Sequence, residues 1–205
     1  MVQPFPRKLV LGSTSIYRRE LLERLRIPFS VASPKVDEAT LRGESPRATA
    51  QRLAHAKAQA VAHSFPDSVV IGSDQVADLN GQALGKPGNH ERAVAQLRAM
   101  RGNIVVFHTA VAVVCISSGF CARDISPVTV KFRELSDEEI ESYLHLEKPY
   151  DCAGSAKSEG LGISLLEFIE SDDPTALIGL PLIRTCKMLR SAGIDLLHTN
   201  QDQPR

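Results

Sequence analysis

The stretch Leu9–Leu25, LVLGSTSIYRRELLERL, decides how the rest of the chain is read. It begins as a short apolar run, breaks at Gly12-Ser13-Thr14-Ser15, and resumes with helical spacing. The spacing predicts a buried strand over Lys8–Leu11 and a helix over Ile16–Arg26, with Leu21, Leu22 and Leu25 on one face. The helix opens with two arginines, Arg18 and Arg19, although a helix N-terminus favours carboxylates. Helical phase separates the two. Arg18 stands three, four and seven residues before Leu21, Leu22 and Leu25, so it heads the apolar stripe, whereas Arg19 is turned about 100° away toward solvent. A strand–Gly-Ser–helix join also presents free backbone N–H groups to an anion. Arg18 therefore fits a phosphate site. A buried ion pair with a nearby carboxylate fits equally well from this stretch alone.

Working outward, Phe29–Ala32 reads as a second strand, followed by a loop holding Asp37-Glu38. Ser45-Pro46 is a helix start, with serine as the cap and proline in the first turn, and that helix runs to about Ser64. Ser68–Ser73 (SVVIGS) is a continuous apolar strand, and Asn80-Gly81 marks a tight hairpin. A helix is expected over Asn89–Met100. Long strands are expected over Ile104–Ile116 and Cys121–Phe132, joined at Ser117-Ser118-Gly119. Ser136 and Glu139 form a capping box before EIESYLHL. Ile163–Phe168 reads as a strand, and Leu180–Ser191 as a helix closed by Gly193. Helices alternate with strands early and long hairpins come later. This order implies an α/β fold with a mixed central sheet flanked by helices. No biased linker divides the 205 residues, so one domain over 1–205 is expected, with a polar tail at Thr199–Arg205.

Lys and Arg balance Asp and Glu at 24 each, which argues against bulk nucleic-acid binding but not against a local anion pocket. No run reaches the roughly 18 apolar residues of a membrane span, and MVQPFPRK lacks the apolar core of a signal peptide. A cytoplasmic location is expected. Cys115, Cys121, Cys152 and Cys186 form no CxxC pair and are expected as reduced thiols; Cys115 and Cys121 flank the second hairpin and are placed to face each other. The six histidines show no metal-ligand spacing, and His55, His63 and His90 read as polar helix faces.

Several residues break the pattern around them. LVLGST and VVIGSD echo each other, which implies neighbouring strands ending at one sheet edge, where α/β folds bind ligands. Asp74 follows the second of these strands, as a metal ligand, a base or a turn cap. Lys57 occupies a core-facing slot in the stripe Ala50, Leu53, Ala54, Lys57, Ala60, Val61, unless it snorkels to water. Lys86 follows the Asn80-Gly81 hairpin and can reach back to the same edge, or else is an ordinary surface lysine. Cys152–Gly162 (CAGSAKSEGLG) is a glycine-rich loop with Glu159 as its one carboxylate, and it is not a Walker loop. Neither Ser13 nor Ser15 has a histidine partner of the kind a serine nucleophile needs. Three cations (Arg18, Lys57, Lys86) with the carboxylates Glu38 and Asp74, and Asp37 beside them, suit a polyphosphate with a divalent ion.

Seven pieces in order give a more specific signal: LGSTSIYRRELL (Leu11–Leu22), VDE (Val36–Glu38), RLAHAKA (Arg52–Ala58), IGSDQV (Ile71–Val76), GKP (Gly85–Pro87), GSAKSEGLGI (Gly154–Ile163) and GLPL (Gly179–Leu182). Together the chain resembles the Maf-like nucleoside triphosphate pyrophosphatases. The resemblance implies a mixed sheet with helices around a deep nucleotide cleft, a homodimer, a divalent metal (magnesium, manganese or cobalt), and hydrolysis of a nucleoside triphosphate to monophosphate and pyrophosphate. It assigns proton acceptance to Asp74. Ser13, Arg18, Glu38, Lys57 and Lys86 would line the phosphate and metal region, with Glu38 and Asp74 holding the metal.

Gln75 and Glu159 resemble the branch acting on 7-methyl-GTP, which often carries Trp where this chain has Tyr17. The dTTP/UTP branch typically shows Thr and Gln at the first two positions and Arg at the third. A carboxylate accepts from both N1–H and N2–H₂ of guanine, and an aromatic ring favours the cationic methylated base by roughly 0.5–2 kcal/mol. Facing Glu159, the carbonyl of uracil or thymine would be repelled. A dTTP/UTP or broader nucleotide pyrophosphatase is the alternative enzyme. A nucleotide-binding regulator of cell division is the alternative without catalysis.

Overall fold

The computed structural model describes residues 7–197, so the polar tail expected at 199–205 lies outside the described residues. The elements in chain order are β1 (Leu9–Leu11), α1 (Ile16–Glu23), β2 (Phe29–Val31), α2 (Pro46–Ser64), β3 (Val69–Leu79), β4 (Gln82–Leu84), α3 (His90–Met100), β5 (Ile104–Cys115), β6 (Phe120–Phe132), α4 (Asp137–Glu147), β7 (Leu166–Glu170) and α5 (Leu182–Ser191). The strands form one seven-stranded mixed sheet in the order β2-β1-β3-β5-β6-β7, with β4 also paired to β3. β1 runs parallel to β2 and β3, and the remaining pairings are antiparallel.

The helix starts follow the sequence signals. Ser15, Ser45 and Asn89 each accept a backbone N–H of the first turn, and Ser136 with Glu139 completes the capping box. Asn80 and Gly81 both adopt positive φ, at 52° and 85°, as a two-residue hairpin turn requires. Gly193, also at positive φ, ends α5, where the N–H of Ile194 returns to the carbonyl of Leu189.

Two expectations about strands are corrected. β3 does not stop at Ser73; it runs on to Leu79, because β5 pairs with it from Val70 to Asp78. The last strand is Leu166–Glu170 rather than Ile163–Phe168, since Leu161–Leu165 coil into a 3₁₀ segment after the glycine-rich loop. The cysteine pairing fails as well. Cys115 lies opposite Phe120 and Cys121 opposite Val114, so the two thiols are one register step apart. Cys115 is buried and Cys121 exposed, and all four cysteines are free.

The course of β3 opens the cleft. One side of β3 is paired with β5, while its other side meets β1 at Val69–Ile71 and β4 at Ala77–Leu79. Residues 72–76 therefore have no strand neighbour on that side. The two faces of the sheet are covered differently. α2 lies directly on one face: a Cβ on Gly72 would sit 2.4 Å from the Ala54 carbonyl and 2.5 Å from the Ala58 nitrogen. On the opposite face, α1 and α5 supply a core around Leu11, Leu21, Leu22, Ile71 and Leu189. α3 and α4 supply a second core around Leu97, Phe107, Ile140 and Leu144. Between these two cores the sheet is polar, with Ser73, Thr109 and Ser126 wholly buried. No helix among the described residues is long and apolar enough to cross a membrane.

Candidate functional site

The cleft holds a cavity of about 620 Å³, a volume suited to a nucleotide-sized ligand. Ser13, Tyr17, Arg18, Glu38, Lys57, Asp74, Gln75, Lys86 and Glu159 all line it. These are the nine residues that the sequence singled out, drawn from β3, α1, α2 and four loops. Asp37 is not among them; its Oδ1 accepts the Ala39 N–H and shapes the loop instead.

The floor of the cavity is a charged cluster. Side chains alternate along β3, so Asp74 points to the face covered by α2, the face of Gly72. Lys57 stands on α2 between Ala54 and Ala58, the residues that touch Gly72, and therefore meets Asp74. Its Nζ lies 2.7 Å from Asp74 Oδ1 and 2.9 Å from Glu38 Oε1. Lys57 is 5% exposed and Asp74 6%, so the ammonium turns inward to carboxylates rather than snorkelling to water. Burial pushes the Asp74 carboxyl above the usual aspartate range, although Lys57 and Arg18 pull in the opposite direction. Glu38 is reached by a separate anchor. Arg52 on α2 grips Glu44 with two nitrogens, at 2.7 Å and 2.8 Å, and also donates to the Ala39 carbonyl, which ties down the loop bearing Glu38.

Arg18 is held in place by backbone. Its Nε donates to the Gly179 carbonyl at 2.8 Å and its Nη1 to Ser13 Oγ at 3.4 Å. The Gly179 carbonyl also accepts from Ser73, 2.9 Å away, whose single O–H is shared with the Ala110 carbonyl at 2.8 Å. Gly179 thus joins the first turn of α1 to the middle of β3. Arg19 makes only an exposed bond to Glu23, four residues on, which fits a solvent-facing role.

The end of the cavity away from Lys57 is built from the glycine-rich loop and a strap after β7. Gln75 Nε2 faces Thr109 Oγ1 and the carbonyls of Ala176 and Leu177, all within 3.0 Å. It holds the short 3₁₀ strap Ala176–Ile178 against the sheet. Tyr17 Oη contacts Asp151 Oδ1 at 3.5 Å and Cys152 Sγ at 3.8 Å, which links α1 to the glycine-rich loop. Burial pushes the Cys152 thiol up to about 12, so it stays protonated. Lys157, paired to Glu147, lies 5.9 Å from the Tyr17 ring centroid. Glu159 sits at the rim, where partial desolvation raises its carboxyl. Lys86 projects from the exposed loop after β4.

Sequence reasoning missed Ser73, Gly179 and Asp151. Ser73 was visible within the echo, since Leu11 pairs with Ile71 and places Gly12-Ser13 beside Gly72-Ser73. Gly179 opens the GLPL piece but nothing in the sequence gives its role, and no local pattern marks Asp151, because each acts on a residue more than 100 positions away. The reading of the histidines is also corrected. His90 and His145, although 55 residues apart in sequence, meet at Glu141, outside the cavity.

Comparisons with known proteins place the chain in a family. A family model described as Maf-like protein matches residues 8–192. A protein of Albidiferax ferrireducens named 7-methyl-GTP pyrophosphatase is 67% identical over 96% of this chain and 99% of its own length. Proteins of the same name from Polaromonas sp. and Methylobacillus flagellatus are 68% and 57% identical, covering 98% and 92% of this chain and 92% and 98% of their own lengths. With the match running from β1 to the end of α5 and the motif residues gathered on one cavity, the chain belongs to the Maf-like protein family.

Proposed function

We propose that this chain is a nucleotide pyrophosphatase that hydrolyses 7-methyl-GTP to 7-methyl-GMP and pyrophosphate. The observation that carries the reading is the buried Lys57 held between Asp74 and Glu38, on the floor of a cavity also lined by Arg18, Ser13 and Lys86. The names of the relatives support the choice of base.

The two carboxylates fit a hard divalent ion. Both come within 3 Å of one ammonium, and that contact uses only one oxygen of each. Asp74 and Glu38 would hold the ion, which supplies charge neutralisation and polarisation at the phosphates. Asp74 accepts the proton of the attacking water, a task suited to a carboxyl whose affinity for protons is raised by burial. Water attacks the α-phosphorus, and pyrophosphate leaves with its charge offset by Arg18, Lys57 and Lys86. Ser13 and the backbone after Gly12 position the phosphates.

At the base end, Glu159 accepts from the guanine edge, and Tyr17 stacks on the methylated base with the ring face opposite Lys157. Gln75 acts on base choice through the strap Ala176–Ile178, because its amide nitrogen is engaged there. The working protein in this proposal is a cytoplasmic homodimer of single-domain chains.

The test is pyrophosphate release from 7-methyl-GTP, GTP, UTP and dTTP on one preparation, with magnesium, manganese or cobalt and with chelator. Metal-dependent turnover led by 7-methyl-GTP is expected. A lead by UTP or dTTP would overturn the reading of Glu159, and absence of turnover with every pair would overturn catalysis.

A further inference from the structure

We propose that His90, Glu141 and His145 form a second metal site, selective for a zinc-like transition ion and separate from the phosphate cavity. Among the described residues this is the one group of three potential ligands whose donor atoms lie within 4.8 Å of one another. None of the three lines the cavity. The donor set differs in kind from the Asp74–Glu38 pair. Two imidazoles and a carboxylate suit zinc, nickel or copper, whereas magnesium prefers oxygen alone.

The geometry comes from two helices. Glu141 and His145 are one turn apart on α4, and His90 is the first residue of α3. His90 Nε2 lies 2.8 Å from Glu141 Oε2, and His145 Nδ1 lies 3.8 Å from that oxygen. Ligands of a tetrahedral zinc ion at its usual bond lengths stand about 3.3 Å apart. The His90–Glu141 spacing falls about 0.5 Å short of that value, and the donor atoms of all three residues lie within 4.8 Å of one another, so side-chain rotation admits the ion.

Each histidine has its other nitrogen oriented. His90 Nδ1 lies 3.0 Å from the Tyr150 hydroxyl, the kind of outer partner that fixes a ligating ring. His145 Nδ1 lies 2.8 Å from the Glu141 carbonyl, which seats its N–H there and leaves the lone pair on Nε2. The two rings meet edge to face with centroids 5.2 Å apart. Side-chain exposures of 37%, 44% and 72% for His90, Glu141 and His145 leave an entry path and room for a water as the fourth ligand. Tyr150 precedes Asp151 and Cys152 of the cavity wall, and its carbonyl accepts the N–H of Gly88, two residues after Lys86. An ion on the triad therefore braces α3 against α4 beside two loops that serve the cavity.

The test uses the full chain without an affinity tag, stripped by chelator and titrated with zinc by calorimetry and with cobalt by visible absorption. Glu38→Gln serves as the control for binding at the phosphate cavity. One zinc ion per chain is expected in the unaltered protein and in Glu38→Gln, with a tetrahedral cobalt spectrum and a raised melting temperature. His145→Ala and Tyr150→Phe should each weaken zinc at least about tenfold, while magnesium-supported turnover stays within about twofold. Unchanged zinc affinity in both variants, or loss of the zinc in Glu38→Gln, would overturn the proposal.

Discussion

Gly12-Ser13-Thr14 and Gly72-Ser73-Asp74 stand side by side on parallel strands, yet one ends its strand and the other does not. Leu11 pairs with Ile71, so the two triplets start level. β1 has no further partner, and the chain turns through Ser15 into α1. β3 keeps β5 alongside as far as Asp78, and it stays extended for six residues beyond Ser73. The two serines diverge accordingly. Ser13 accepts bonds from the Ser15 N–H and from Arg18, at the mouth of a helix. Ser73 is wholly buried and spends its hydroxyl on two carbonyls. The third residues diverge most. Thr14 is exposed, while Asp74 is buried against Lys57. Near-identical local sequences thus furnish a turn that lines the cavity at a helix mouth and a buried carboxylate, and the neighbouring strand decides which is which.

The largest effect should come from the third position. Asp74→Asn keeps the shape of the side chain but cannot accept the proton, so turnover is expected to fall by about 10²–10⁴, while nucleotide still binds. Thr14→Ala should change turnover by no more than about threefold on the same scale. Turnover near the unaltered level in Asp74→Asn would remove Asp74 from the mechanism. The acid limb of the pH–rate profile sharpens this contrast. Burial raises the Asp74 carboxyl, so the ionised base is lost, as pH falls, at a higher pH than for an ordinary aspartate. Lys57→Met removes an attraction that favours the ionised form, so the limb should move to still higher pH.

The glycines come next. A methyl at Gly72 would collide with α2 backbone at 2.4 Å, while one at Gly12 would meet the Ile71 carbonyl only at 3.2 Å. Gly72→Ala should therefore cost roughly 3 kcal/mol, near the upper part of the overpacking range, and Gly12→Ala about 1 kcal/mol. Equal midpoints in denaturant titrations of the two variants would contradict the close packing of α2 on β3.

The serines should show the smallest change. Ser73→Ala removes a donor from the Ala110 carbonyl and one of the two donors to the Gly179 carbonyl, and should cost about 1 kcal/mol of stability. Ser13→Ala should raise the KM for nucleotide with little loss of stability. A reversed pattern, with Ser13→Ala the less stable, would exchange their roles.

Much of this was legible locally. Caps at Ser45 and Ser136 and the turn at Asn80-Gly81 require only neighbours within a few residues, and these features appear where the sequence puts them. Arg18, Lys57 and Asp74 stood out because charge on an apolar stripe or in an apolar run demands a partner. The identity of the partner was not legible. Glu38 and Lys57 are 19 residues apart, and Arg18 and Gly179 are 161 apart. The length of β3 was misread for a related reason: a strand's end depends on its neighbours, and β3 pairs with β5 from Val70 opposite Val114 to Asp78 opposite Val106, residues far along the chain.

By itself, the sequence determined the element order, the α/β class, the family resemblance and the anomalous charges, because periodicity, capping and burial cost act over short range. Only the tertiary structure decided that Lys57 turns to Asp74 and Glu38 rather than to water. It alone showed that Gln75 holds a strap, and it alone brought two distant histidines together at Glu141. Each of these depends on how closely helices pack on the sheet or on each other, and that distance is set by the whole core rather than by any one segment.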